Sequence, residues 1–357
     1  MFENYLESIA NLDSKYQLYA KDVTKHIEYS IDKGLELYAT HSHCTDGGVA
    51  GSMIKYAKPN SAIVPLDYWM INDEIAANIL SQINWQGIVD LKPFNKTKIG
   101  FWVDHHVSAM SIPPNANKIR FDAYGDSGAY QLLLSNFLGG LPRHLVELAV
   151  MTRTTDTAGY KTEPPIDKFD DLKELKVPEF YDPESILDNE QRIWLLDDAW
   201  NTAHSLKDHF ELHKELSRYG FLGINKFLPK INELRGNRQK AYETADQIVP
   251  DDIVAFSYES ETQDKFTILR RLQTNGVKVA ISLSIQNNGG VKISFRRNRE
   301  LNSLDTNKLK VNEVANKLNG GGHEGASGAY ANNLDDALNI INEWSKKLNY
   351  NFEHVSI

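Results

Sequence analysis

Two hydrophobic rhythms alternate from residue 35 onward. Four short apolar runs, LELYATHSH (35–43), AIVPLDYW (62–69), GIVDLKPF (87–94) and KIGFWVDHH (98–106), read as strands. Segments such as 48–57 and 72–84, lying between them, repeat their apolar positions at helical spacing. That alternation predicts an α/β domain over 35–190, a parallel sheet with helices on its faces. Upstream, Leu6, Ile9, Leu12, Tyr16 and Tyr19 recur with a helical period, so 1–34 is a helical extension. Downstream, 121–140 reads as a turn and an amphipathic helix, and 142–160 as a helix carrying Asp156 near its end. Residues 164–190 are rich in Pro and Asp and read as a loop. A helical connector over 191–249 leads to a smaller α/β domain over 250–357. Its strands are expected at 252–258, 277–285 and 291–298, and its helices near 264–273, 309–318 and 335–347. The connector histidines His204, His209 and His213 fit a solvated polar face.

Each apolar run of the larger domain ends in ionisable residues: His41 and His43, Asp67, Asp90, then Asp104, His105 and His106. The carboxyl ends of parallel strands converge on one edge, where ligands bind. A turn-forming cap explains one such ending but not four. Asp46 and Asp156 bring further carboxylates from flanking helices. Imidazole and carboxylate together suit Mn²⁺ or Mg²⁺, and Zn²⁺ less exclusively. Several carboxylates can hold two cations that clamp the attacking and leaving oxygens of a phosphoryl group.

Composition narrows the substrate more than the fold. The chain of 357 residues has a formal net charge of −9, which disfavours a broad duplex-DNA surface but leaves a small anionic substrate open. The lone cysteine, Cys44, excludes internal disulfides and fits a reducing cytoplasm. No apolar run is long enough to span a bilayer, and the acidic N-terminus is unlike a signal peptide.

The ordered set THSHCTDGG, IVDLKPF, VDHH and TTDTAGY, with NGGGHEGASGA in the smaller domain, resembles the DHH phosphoesterase superfamily with a C-terminal DHHA1 domain. That group contains nanoRNases, RecJ-like nucleases and dinucleotide or pAp phosphodiesterases. The resemblance implies that His41, Asp46, Asp90, His105 and Asp156 are metal ligands, with Asp90 bridging two ions, Mn²⁺ first among them. It also implies that Asp104 orients His105 and that His106 faces the substrate phosphate as a donor. In the smaller domain it implies that Arg296, the backbone of Gly320, Gly321 and Gly322, and His323 grip the phosphate or nucleotide end away from the cut; Arg297 and Arg299 read as solvated. One departure stands out. Where the family's first motif carries an earlier aspartate, this chain has Cys44 and Thr45, so Cys44 and the neighbouring His43 are further candidate ligands. Asp67 and Ser127 are explained by strand-end and helix-cap roles.

The resulting expectation is an enzyme that hydrolyses short single-stranded oligonucleotides or dinucleotides to nucleoside monophosphates by in-line attack of water on phosphorus. Two rivals are a phosphatase for polyphosphate, pyrophosphate or pAp on the same metals, and a non-catalytic scaffold retaining the fold. An aromatic platform beside the GGGH segment would favour a base over an inorganic chain. A homodimer contact is one reading of the N-terminal helices.

Overall fold

The computed structural model describes residues 2–357 except 11–13, 95–96, 107–108, 110–114, 124, 158, 173–188, 260–263, 287–288 and 319, and only the backbone at 14, 15, 322 and 323. Leu12 and much of the expected 164–190 loop fall outside the described residues. The chain divides into two compact units, Met1–Asn232 and Glu233–Ile357.

The first unit is built on five strands: β1 (Leu37–His41), β2 (Ala62–Leu66), β3 (Trp85–Val89), β4 (Lys98–Asp104) and β5 (Asn115–Phe121). Their order is β2-β1-β3-β4-β5, and every neighbouring pair is parallel. The expected parallel sheet is therefore present, with one strand more than the apolar pattern revealed. β5 has no apolar run because it is an edge strand; Asn115, Asn117 and Lys118 are exposed, and a Lys on a free edge discourages pairing with another chain.

Both sheet faces are covered, as parallel sheets require. On one side lie α1 (Glu3–Ser8), α2 (Ser14–Asp32), α4 (Tyr68–Ile71) and α5 (Glu74–Leu80), sharing a core with Val64, Trp85 and Trp102. On the other lie α3 (Thr45–Ala57), α6 (Gly128–Ser135) and α7 (Arg143–Asp156), then α8 (Glu190–Asn201) and α9 (Leu206–Tyr219). Residues 190–232 thus lie within the first unit. His209 and His213 are buried rather than solvated, the first among the rings of Tyr19, His43 and Trp200, the second filling the space left by Gly51 of α3, where a Cβ would stand 2.2 Å from the ring. Their apolar surroundings push both imidazoles down to about 3. α10 (Leu228–Asp246) carries the chain into the second unit.

There a six-stranded mixed sheet forms, its strands side by side in the order Phe352–Ser356, Ile253–Tyr258, Val279–Ile285, Val291–Arg297, Ala326–Ala331 and Gly321–His323. β6 (Ile253–Tyr258), β7 (Val279–Ile285) and β8 (Val291–Arg297) match the expected strands. Around them pack α11 (Lys265–Thr274), α12 (Ser303–Lys308), α13 (Val311–Lys317) and α14 (Leu334–Leu348). The glycine-rich segment is not a simple turn. It forms the antiparallel hairpin of β9 (Gly321–His323) and β10 (Ala326–Ala331), and β11 (Phe352–Ser356) closes the far edge. Glycine-rich strands carry little β propensity, which hides them from pattern reading. Among the described residues no helix is long and apolar enough to cross a membrane.

Candidate metal centre

In a 2-1-3-4-5 sheet the winding reverses between β1 and β3, leaving a crevice at the carboxyl ends of those strands. Pairing of Thr40 with Val89, and of Val89 with Val103, sets the next residues His41, Asp90 and Asp104 side by side across three strands. Asp90 takes a left-handed backbone, φ +59°, which Asp tolerates better than most residues, while its N–H donates to the Val103 carbonyl at 3.0 Å. Two helices add to the row. α3 begins directly against the end of β1: a Cβ at Gly47 would lie 2.2 Å from the His41 carbonyl oxygen, so glycine is what lets Asp46 reach the crevice. α7 ends on Asp156.

The donor atoms converge. His105 Nε2 lies 3.3 Å from Asp156 Oδ2, 3.4 Å from Asp90 Oδ1 and 3.7 Å from Asp46 Oδ2. His41 Nδ1 lies 3.7 Å from Asp90 Oδ2, and His106 Nδ1 lies 3.6 Å from Asp90 Oδ1. Asp90 Oδ1, Asp104 Oδ2 and His105 Nε2 are buried without a hydrogen-bond partner. Leaving such atoms unbonded is costly, by about 1–3 kcal/mol each. Ligands at roughly 2.1 Å from one cation stand about 3–3.4 Å apart, close to these separations. The residues fit a divalent cation.

Orientation comes from a surrounding layer of hydrogen bonds. His105 Nδ1 meets the Gly125 carbonyl at 3.2 Å, which points Nε2 at the carboxylates. Asp104 touches His105 only through that residue's backbone N–H (2.7 Å); the ring it holds is His106, whose Nδ1 lies 2.9 Å from Asp104 Oδ1. Asp46 accepts from Ser127 Oγ (2.7 Å), Gly128 N (2.5 Å) and Ala129 N (2.7 Å), so it also ties down the start of α6. Ser127 caps α6 as expected and adds this link to Asp46. Cys44 caps α3: its Sγ accepts from Gly47 N at 3.2 Å and donates to Asp90 Oδ2 at 3.2 Å. His43 turns elsewhere, to Ser42 Oγ at 2.7 Å and Asp67 Oδ2 at 3.2 Å. Asp67 caps α4 through Trp69 N. Tyr68, which the sequence pattern did not single out, stands with its ring 5.0 Å from that of His41.

The charges are strongly coupled. Burial first, and then the charge of Asp90, raises Asp156 to about 6 and Asp46 well above the ordinary carboxylate range. Burial works against protonation of His105, but the carboxylates of Asp90, Asp156 and Asp46 overcome it and push the imidazole up to about 9. Asp90 moves the other way: burial opposes its ionisation, and the imidazoles of His105, His41 and His106 hold it below its usual range. Protons are thus held where a cation would relieve the same repulsion.

In the second unit Arg296 on β8 is the register partner of Ala326 on β10, itself the partner of His323 on β9. The His323 side chain lies outside the described residues. Arg296 sits 5.8 Å from the ring centroid of Phe266, which is 57% exposed. Arg297 is not solvated: its Nη1 donates to the Thr306 carbonyl at 2.7 Å. The N–H of Gly320 is taken by the Ala315 carbonyl at 2.9 Å, which removes one of the three expected anion-facing donors.

A family model described as the DHHA1 domain matches residues 247–347. That stretch takes up most of the second unit, which is therefore similar to a DHHA1 domain. The pGpG-specific phosphodiesterase PggH from Vibrio cholerae superposes with a TM-score of 0.59 at 15% identity, covering 88% of this chain and 99% of that one. RecJ from Thermus thermophilus in complex with Mn²⁺ gives 0.54 at 13% identity, over 94% of this chain and 56% of that. An exonuclease RecJ bound to manganese gives 0.53 at 13%, over 93% and 94%. No curated protein matches by sequence. At such identities the likeness is one of fold, shared over about nine-tenths of this chain.

Proposed function

We propose that the chain is a divalent-metal-dependent phosphodiesterase that hydrolyses short oligonucleotides or dinucleotides to nucleoside monophosphates. The observation that carries this reading is the meeting of His41, Asp46, Asp90, His105 and Asp156 at one sheet edge, with buried donor atoms left unbonded. These five residues would hold the cations, which supply Lewis acidity toward a phosphoryl oxygen and activate water at neutral pH. Asp104 fixes the His106 ring through Nδ1, leaving Nε2 of this partly exposed imidazole to donate a proton to the leaving oxygen. The hydrogen bond that the imidazole gives to the Asp104 carboxylate raises it above its ordinary range, against the effect of burial, which suits a donor.

Arg296 offers a guanidinium fork for a phosphate. The exposed Phe266 ring beside it offers a surface on which a base can stack, which supports a nucleotide over inorganic polyphosphate. The linear dinucleotide pGpG, for which the similarly folded PggH is specific, is the first substrate to try.

The test incubates purified protein with Mn²⁺ or with chelator against pGpG, RNA and DNA oligomers of increasing length, pAp and polyphosphate. The expected result is Mn²⁺-dependent release of mononucleotides from the shortest substrates, lost in His105→Ala and Asp156→Asn. Turnover of none of them with any divalent cation would overturn the reading and leave a partner-binding protein that keeps the fold.

A further inference from the structure

The donor atoms of the centre fall into unlike sets. Those of His41, Cys44 and Asp90 lie within 4.8 Å of one another, as do those of Asp46, His105 and Asp156, and a third group of Asp90, Asp104, His105 and His106 overlaps both. Asp90 faces both. Its Oδ2 is 3.2 Å from Cys44 Sγ and 3.7 Å from His41 Nδ1, whereas its Oδ1, buried and without a hydrogen bond, is 3.4 Å from His105 Nε2. One carboxylate thus turns one oxygen to a sulfur-containing set and the other to a set of nitrogen and oxygen only.

Sulfur is a poor choice for the role Cys44 plays in local structure. It is the N-cap of α3, a position that Ser, Asp and Asn fill better. An aspartate there would cap the helix and offer a hard ligand at once. The thiol gives up capping quality and gains softness, and softness matters only to what the sulfur binds. Without a cation, burial and then the charges of Asp90 and Asp46 push the thiol well above its ordinary range, against the Gly47 N–H that points at Sγ from 3.2 Å, so the sulfur stays protonated until a metal replaces the proton.

Resting on the metal-dependent reading above, we propose that the centre holds two chemically different cations: a thiophilic one such as Zn²⁺ on His41, Cys44 and Asp90, and a hard one such as Mn²⁺ or Mg²⁺ on Asp46, His105 and Asp156. Binding at the first position replaces the S–H bond by a sulfur–metal bond, and the proton now shared with Asp90 leaves to solvent, one per cation. The two positions therefore differ in selectivity, and excess Mn²⁺ does not displace the thiophilic ion.

The experiment reads metal binding rather than turnover. Metal-free full-length protein is titrated with Co²⁺ and followed in the near ultraviolet, where thiolate-to-cobalt charge transfer absorbs. Because the chain has one cysteine, any such band belongs to Cys44. The band is expected in the wild type and lost in Cys44→Ser, a variant that keeps the helix cap. It is lost as well in Cys44→Asp, which still binds two cations and, in competition, takes Mn²⁺ at the position where the wild type retains Zn²⁺. Stoichiometric Co²⁺ binding with no charge-transfer band would overturn the proposal and leave the phosphodiesterase reading standing. If no divalent cation binds the wild type at all, both fall.

Discussion

At the scale of single residues, the two histidines of VDHH differ because their neighbours differ. His105 is buried and aimed by the Gly125 carbonyl at three carboxylates, while His106 is partly exposed and steadied by Asp104. That difference supports the proposed roles, ligand for the first and proton donor for the second. His106→Gln is therefore expected to lower kcat by about 10²–10⁴, with cation stoichiometry unchanged by equilibrium dialysis; loss of bound metal in that variant would place His106 among the ligands. Asp46 is a treacherous target by comparison. Its carboxylate also holds Ser127, Gly128 and Ala129, so Asp46→Asn disturbs α6 as well as the centre. Asp156 carries no such second duty among its described contacts and is the cleaner substitution.

At the scale of elements, the site depends on how closely α3 starts against β1. Gly47→Ala puts a methyl group into the His41 carbonyl and must push the helix away. We expect a loss of about 1–3 kcal/mol in stability, seen as a lower urea midpoint, together with weaker cation binding; an unchanged midpoint and affinity would show that α3 yields freely. Much of this was legible in the sequence. Four apolar runs ending in His and Asp gave the sheet and its working edge, because strand pattern and strand-end chemistry are both local. Residues whose roles depend on partners far along the chain were not. That Asp104 holds His106 rather than His105 depends on ring directions, and the turning of His43 toward Asp67 depends on where β2 ends. Edge strands β5, β9 and β11 escaped because a strand exposed or glycine-rich needs no apolar alternation. The burial of His209 and His213 escaped for the opposite reason: two polar residues on a helix face look solvated until Trp200 and Gly51 are seen to enclose them.

That enclosure has a whole-molecule effect. Both imidazoles are held down to about 3, against 6.5 when free. Between those values the unfolded chain takes up protons that the folded chain refuses. Their contribution to stability is therefore complete above about pH 6.5 and falls as pH drops, by about 1.4 kcal/mol per pH unit for each ring. Asp156, raised to about 6, acts in the opposite direction over part of that range, so a variant must isolate the histidines. Urea unfolding followed by tryptophan fluorescence at pH 7 and pH 5 should show His213→Asn losing less stability over the interval than wild type, by about 2 kcal/mol. Equal losses in the two proteins would mean that His213 titrates normally.

The strand order has a further consequence, in time rather than in space. The centre draws its members from β1, α3, β3, β4 and α7, and α7 is made only after the whole sheet. On the ligand sets proposed above, His41, Cys44 and Asp90 are all made once β3 is complete, whereas the set of Asp46, His105 and Asp156 waits for the last residue of α7. A chain leaving the ribosome would thus assemble the two positions one after the other, the sulfur-containing one first.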